Sequence, residues 1–139
     1  MKKIAVIGAT GMLGAPVAKQ LKQDGFEVRI ISRNINLAKE KLGPDFEYIE
    51  ADIFNQASLT KALQGCEGIH INLTGNSSES YYQNHVVGTK NILGAVDSKK
   101  IEKISMISTA SAYPENSFRA DTKYKLEAEA LLKASAIGY

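Results

Sequence analysis

The sequence predicts an α/β protein built on a doubly wound parallel sheet of about five strands in the order 3-2-1-4-5, with helices on both faces. Short apolar runs alternate with helix-like stretches along the whole chain, which predicts strands separated by helices. Such alternation produces a parallel sheet with right-handed crossovers. A glycine-rich turn joins the first strand to the first helix, and this is typical of doubly wound sheets.

The elements follow one another with no linker, internal repeat or low-complexity segment. Strands are predicted at residues 2–8, 26–31, 46–51, 68–73 and 101–108. Helices are predicted at residues 12–24, after Asn34 to about 42, 55–64, from a cap at Ser78 or Ser80 to about 98, and at about 119–135. Residues 110–118 are predicted to form a loop.

Helical spacing assigns buried faces to two of these helices. The predicted buried stripes are Leu13, Val17 and Leu21 in the first helix, and Val86, Thr89, Leu93 and Val96 in the fourth. Glycines at positions 25, 43 and 65 are expected to end the first three helices.

The composition is that of one ordinary globular domain spanning residues 1–139. A net charge of +2 is too small to indicate nucleic-acid binding. The single cysteine, Cys66, excludes an internal disulfide framework and is expected to be inert packing. We find no signal peptide, no membrane-spanning window and no metal-ligand spacing, so we expect a cytoplasmic protein without a metal site.

The glycines after the first strand predict a dinucleotide site. Gly8 permits the tight turn, Gly11 permits close approach of a diphosphate, and Gly14 lets the helix pack close to the strand. The free N–H groups at the helix N-terminus favour that anion. The predicted phosphate-binding loop consists of Gly8, Thr10, Gly11, Met12, Leu13 and Gly14. The alternative is a glycine-rich turn without a ligand.

The end of the second strand favours NADP over NAD. NAD-selective sites usually place an acid there to bind the ribose 2′-hydroxyl. This chain has Ser32-Arg33 instead, and an arginine suits a 2′-phosphate because its guanidinium offers a fork of donors. The alternative is that Arg33 is only a surface residue.

Two further strand ends are candidate cofactor contacts. Asp52-Ile53 suits an adenine. The carboxylate would accept a hydrogen bond from the adenine amino group, and the isoleucine would pack on the ring. The alternative, which is equally well supported, is that Asp52 begins the cap of the third helix. The small residues of Leu73-Thr74-Gly75 would leave room for the nicotinamide ribose, although alone they are only a turn.

Several segments in the right order resemble the short-chain dehydrogenase/reductase superfamily, in its extended and atypical branches. The segments are the loop 8–14, Asp52-Ile53, the stretch 84–93 (Asn, then Gly-Thr, then Asn and Leu), the stretch 107–113 (paired hydroxyls ending in Tyr) and the stretch 125–129 that starts with a lysine. The resemblance implies an NAD(P)-binding Rossmann domain. It also implies that Thr109 binds the substrate oxygen, that Lys125 holds the cofactor ribose, and that Asn84 supports the site.

The chain departs from the family at the catalytic tyrosine. Asp121 stands four residues before Lys125, where the family has the tyrosine that acts as general acid or base. Tyr124 cannot substitute, because neighbours on a helix point about 100° apart. Tyr113 is the replacement we select for the catalytic set, with Tyr81 and Tyr82 as further candidates. For each, packing or loop anchoring is the alternative.

The resemblance also implies a sixth strand and a substrate-binding lobe beyond residue 139. Without them the fifth strand is expected to be an edge, with Ile104, Met106 and Ile107 poorly covered. We therefore predict a homodimer, through that edge or through the fourth and fifth helices. His70 and His85 are expected to be packing residues.

Three functions remain open from the sequence. The first is an NADP-dependent oxidoreductase that transfers hydride to or from a small carbonyl or hydroxyl substrate. The second is a non-catalytic module that senses NADP(H). The third, which has the least support, is a nucleotide-sugar epimerase or dehydratase.

Overall fold

The computed structural model describes all 139 residues. The strands are β1 Lys3–Ile7, β2 Glu27–Ser32, β3 Glu47–Glu50, β4 Gly68–Ile71 and β5 Lys103–Met106. The helices are α1 Gly14–Gln23, α2 Ile35–Leu42, α3 Gln56–Ala62, α4 Ser78–Tyr81, α5 Gly88–Ala95 and α6 Ala120–Ala134, with a 3₁₀ turn at Pro114–Asn116.

The five strands form one parallel sheet in the order β3-β2-β1-β4-β5, which confirms the predicted Rossmann topology. Strand residues alternate between two cores. In β2, Ile30 packs with Ala18 of α1 and Ala38 of α2, on one face of the sheet. The next residue, Ile31, belongs to the core on the opposite face, which Leu59 of α3 also joins. Both faces of the central strands are therefore buried, as parallel sheets require.

The first helix begins later than predicted, and its buried stripe is displaced. Leu13 precedes the helix as its N-cap residue and is 52% exposed. The buried positions of α1 are Gly14 and Ala18, while Val17 and Leu21 are half-buried. The inward face of α1 is the one with small residues, because Gly14 lies against the Gly8 carbonyl and Ala18 joins the core with Ile30.

The predicted fourth helix is interrupted. A π-helical segment, Tyr82–Val87, separates α4 from α5 and packs against α6. The N-cap is Ser77 rather than Ser78 or Ser80, since its hydroxyl accepts from the Ser80 N–H at 3.1 Å. The helix ends at Ala95 rather than near residue 98 because Val96 is extended. The stripe residues Val86 and Thr89 are buried as predicted, and Leu93 and Val96 are half-buried.

The prediction that β5 leaves Ile104 poorly covered is wrong. Ile104 is 1% exposed and shares a core with Leu132 and Ile137. Its N–H donates to the Gly138 carbonyl at 2.8 Å, so the chain returns to pair with the outer side of β5 at one position. Met106 and Ile107 are half-buried. No helix of the structure has the length and apolar character needed to cross a bilayer.

Candidate functional site

A cleft of about 320 Å³ opens at the carboxyl ends of β1, β2 and β4, where the strand order reverses. Ligands of doubly wound sheets bind at this place. Of the residues predicted from sequence, those that line the cleft are Gly8, Thr10, Gly11, Ser32, Arg33, Ile53, Leu73, Thr74 and Asn84.

The glycine turn is tightly packed against β1 and the end of β4. Gly8 has φ +85°, a region that L side chains rarely adopt, and a Cβ there would overlap the carbonyl oxygen of Asn72. A Cβ on Gly14 would overlap the Gly8 carbonyl. These two glycines are therefore required by the protein's own packing.

Gly11 is different, and its surroundings fit a dinucleotide diphosphate. A Cβ at Gly11 would meet the Gly8 carbonyl only at 3.5 Å, an ordinary contact, so internal packing does not require a glycine there. No side chain caps the N-terminus of α1, as is also the case for α5 and α6, whereas Asn34, Asn55 and Ser77 cap α2, α3 and α4. The loop thus leads into helical N–H groups that no side chain of the protein caps, as a bound diphosphate needs.

Met12 and Leu13 continue this loop outside the cleft. They are 88% and 52% exposed, so their side chains point to solvent and only their backbone is near the helix terminus. Gly14 is buried beneath the loop.

At the end of β2, Ser32 and Arg33 border the cleft. The Ser32 hydroxyl donates to the Asn34 carbonyl at 3.2 Å and accepts from the Asn34 N–H at 3.1 Å, which fixes the turn into α2. Arg33 is exposed and has neither a hydrogen bond nor an ion pair in the structure. It is the only charged residue that lines the cleft.

At the end of β3, Asp52 neither lines the cleft nor caps α3. Its carboxylate accepts from the Phe54 N–H at 2.9 Å, and the helix cap is Asn55, whose side chain accepts from the Ser58 N–H at 3.0 Å. The cap alternative for Asp52 is therefore wrong. Ile53 and the exposed ring of Phe54 do line the cleft and offer apolar surface.

At the end of β4, Leu73 and Thr74 line the cleft, but Gly75 faces away from it. A Cβ on Gly75 would come within 2.6 Å of the Ser80 hydroxyl oxygen, so this glycine makes room for α4 rather than for a ligand. Asn84 lies in the π-helical segment, and its side-chain amide donates to the Thr74 carbonyl.

Lys125 is buried beside the carboxyl end of β5. It is 7% exposed, and its ammonium donates to the Ile107 carbonyl at 2.8 Å. Burial lowers the pKa of Lys125, although the Glu129 carboxylate opposes this. Lys125 is not among the residues that line the described cleft.

The remaining catalytic candidates lie near the start of α6. Thr109 is exposed, and its hydroxyl is 3.1 Å from that of Ser111, which is 3.3 Å from the buried hydroxyl of Thr122. Tyr113 is 62% exposed, and its hydroxyl makes no hydrogen bond to Lys125, whose ammonium is bonded to the Ile107 carbonyl.

Asp121 is held in its ionised form. Slight burial alone would raise its pKa, but hydrogen bonds from the Arg119 guanidinium and the Thr122 N–H outweigh this and lower the pKa. The Arg119 pair is at 3.1 Å. An ionised carboxylate cannot donate a proton, so Asp121 does not replace the missing tyrosine as an acid. The ring of Tyr82 packs edge-on against that of Tyr124, with the ring centres 5.3 Å apart.

Sequence reasoning missed several lining residues. They are Ile7, Ala9, Ile31, Asn34, Leu37, Ala51, Phe54 and Asn72. Leu37 had a usable signal, because it stands three residues after the helix cap Asn34 and so shares its face. Phe54 had none, since its exposure depends on how the turn after β3 folds.

A family model described as NAD(P)H-binding matches residues 8–139, so the chain belongs to this NAD(P)H-binding family. Photosystem II assembly factor Ycf39 from Cyanophora paradoxa is 30% identical over 138 residues, which are 98% of this chain and 43% of that protein. The 2-alkyl-3-oxoalkanoate reductase of Shewanella oneidensis is 30% identical over 110 residues, which are 76% of this chain and 28% of that protein.

Among solved structures, the NADPH complex of an NADPH-dependent quinone oxidoreductase from Escherichia coli superposes with a TM-score of 0.78 at 26% identity. The match covers 96% of this chain and 46% of that one. The chain therefore spans less than half the length of these relatives. The expected membership of the extended short-chain dehydrogenase/reductase superfamily is confirmed, and a nicotinamide cofactor is supported.

Proposed function

We propose that this chain binds NADP(H) in preference to NAD(H) and belongs to an oxidoreductase that acts on a small carbonyl acceptor. The observation that carries the NADP preference is that Arg33 is the only charged residue lining the cleft and has no partner of its own. A carboxylate at that place would repel a 2′-phosphate, and none is present among the lining residues.

Different residues of the cleft bind different parts of the cofactor. The loop from Gly8 to Gly14 holds the diphosphate on the α1 N-terminus, and Arg33 holds the 2′-phosphate. Ile53 and Phe54 pack against the adenine, and Asp52 remains a candidate for its amino group. When bound, the nicotinamide supplies or accepts hydride.

On the substrate side, Thr109 orients the carbonyl oxygen and Lys125 binds the nicotinamide ribose. The side chain of Asn84 keeps the turn at Thr74 open for that ribose. No acid stands at the family's tyrosine position, so the protonation of a reduced oxygen falls to solvent. Acceptors whose reduced form is a stabilised anion, such as quinones, depend least on an enzymic acid. The name of the Escherichia coli structural relative favours the same acceptors.

Calorimetric titration with NADPH and then NADH tests the cofactor proposal. We expect tighter binding of NADPH, and Arg33→Ala should remove most of the difference without changing NADH affinity. Equal affinities in the wild type would contradict the proposal. Loss of NADPH absorbance with a panel of aldehydes, ketones and quinones then tests the reaction, with Thr109→Ala as the variant expected to lose turnover and keep cofactor affinity.

A second candidate is a non-catalytic NADP(H)-sensing module. Two observations favour it: the ion-paired Asp121 in place of the tyrosine, and a relative named as an assembly factor rather than an enzyme. NADPH binding without turnover on the whole panel would select this function over the first.

We also propose that the chain forms a homodimer through the α5 and α6 surfaces or through the part of β5 beyond Ile104. The Gly138 pairing leaves only the latter part of this edge open. A monomeric mass in light scattering at micromolar concentration would refute the dimer.

We also propose a cytoplasmic location, since a reducing compartment suits the single buried thiol of Cys66.

A further inference from the structure

One face of α2 points into the cofactor cleft. Asn34 at the N-cap and Leu37 in the first turn both line the cleft. Lys41 follows Leu37 by four residues, so it lies on the same face one turn further along. Helical side chains lean toward the helix N-terminus, which directs Lys41 back toward the cleft.

The contact made by Lys41 agrees with that direction. Its ammonium donates to the Thr10 carbonyl oxygen at 3.4 Å, and Thr10 belongs to the glycine loop and lines the cleft. A bond of this length to a neutral carbonyl is weak. Lys41 has no carboxylate partner, so its charge remains available to an anion bound nearby.

The neighbouring cation on the same helix lies elsewhere. Neither lysine is itself among the residues that line the cleft, but Lys41 contacts the lining residue Thr10. Lys39 instead places its ammonium 5.8 Å from the ring centre of Tyr48, which does not line the cleft. Both lysines belong to the last turn of α2. They therefore contribute similarly to net charge and to the helix dipole, and they differ mainly in direction.

We propose that Lys41 is a specificity-determining residue, whose ammonium joins the Arg33 guanidinium in binding the 2′-phosphate of NADP(H). This inference rests on the proposed NADP(H) preference. A phosphate monoester carries nearly two negative charges and three acceptor oxygens, so it has room for two cations. Arg33 supplies a planar fork at the end of β2, and Lys41 supplies a compact charge beside the glycine loop. In the free protein the ammonium lies 3.4 Å from the Thr10 carbonyl oxygen, a weak contact that a phosphate can replace.

The test compares Lys41→Gln with its matched control Lys39→Gln by calorimetric titration with NADPH and NADH. Loss of a charge-assisted bond to phosphate should weaken NADPH binding by Lys41→Gln about tenfold and NADH binding by less than about twofold. Lys39→Gln should change neither affinity by more than about twofold, and Lys41→Arg should retain most NADPH affinity. Adenosine 2′,5′-bisphosphate and AMP, used as smaller probes, should show the same contrast.

Each other result is decisive. Equal weakening of NADPH and NADH by Lys41→Gln would overturn the inference, because the lysine would then act on the shared diphosphate or on the glycine loop. Equal effects of the two lysine variants would also overturn it, since only general charge would matter. If Lys41→Gln leaves the wild-type preference for NADPH intact, the inference fails and the proposed function stands. If the wild type shows no such preference, the proposed function fails and the inference with it.

Discussion

His85 should make the fold sensitive to mild acid. It is 3% exposed in the π-helical segment, and its ring stacks on that of Tyr81 with centroids 5.8 Å apart. Burial, followed by the positive charge of Lys125, lowers the pKa of His85 from 6.5 to about 4, with Asp121 opposing weakly. The folded protein therefore resists a proton that the unfolded chain accepts.

The sign and size follow from linkage between protonation and folding. Above pH 6.5 the imidazole is neutral in both states and has no effect on stability. As the pH falls from 6.5 toward 4, the unfolded chain binds the proton first and the free energy of unfolding decreases. At about 1.36 kcal/mol for each pKa unit, the full loss is about 3 kcal/mol, and about 2 kcal/mol of it is reached by pH 5.

Urea unfolding of the wild type and of His85→Phe between pH 7 and 5 measures this loss. Phenylalanine keeps a ring on Tyr81 and removes the titrating nitrogens, and every other ionisable group, including the buried His70, is common to both proteins. We expect the free energy of unfolding of the wild type to fall by about 2 kcal/mol more than that of the variant. Parallel pH profiles would refute the reasoning, even if the variant is less stable at every pH.

Three further predictions concern packing. Gly8→Ala should prevent folding, because its Cβ overlaps the Asn72 carbonyl. Gly11→Ala should keep the wild-type melting temperature and weaken NADPH binding. Equal melting temperatures for the wild type and both variants would contradict the prediction for Gly8. Arg29→Leu should lower the free energy of unfolding, measured in urea, by about 2 kcal/mol. The buried guanidinium donates to the backbone carbonyls of Ala62 and Gln64 and to the half-exposed Glu47 carboxylate. A loss under about 0.5 kcal/mol would show that these bonds contribute little to stability. Cys66, whose thiol has a pKa raised by burial, should react with thiol reagents only in urea, and fast labelling of the native chain would count against this.

The sheet order and the location of the cleft were predictable because they depend on local patterns. Alternating elements and one glycine turn determine both, and Asn34 was identified as a cap from its type and position. The prediction for Ile104 failed because its cover comes from Ile137 and Gly138, more than thirty residues away. Such a return of the chain has no signature in the sequence around β5.

The site features that the sequence did not predict depend on backbone geometry. Ser77 caps α4 because the Ser80 hydroxyl also accepts from the Ser77 N–H, and a run of serines does not reveal which one does so. The π-helical segment that carries Asn84 packs against α6, a contact that helical periodicity alone does not encode. Tyr113 looked suitable by position but is exposed because the loop after β5 turns it outward.

Under the proposed role of Arg33, its exposure should make the discrimination between NADP(H) and NAD(H) depend on ionic strength. Salt screens the attraction between charges in water, and much less that between buried charges. The Arg33 guanidinium is exposed to water, where the Debye length falls from about 10 Å at 0.1 M salt to about 3 Å at 1 M. Discrimination between two cofactors that differ by one phosphate should therefore shrink as salt is added, while the affinity that comes from apolar and backbone contacts persists. The chain would then select its cofactor most sharply in dilute solution and least in concentrated salt.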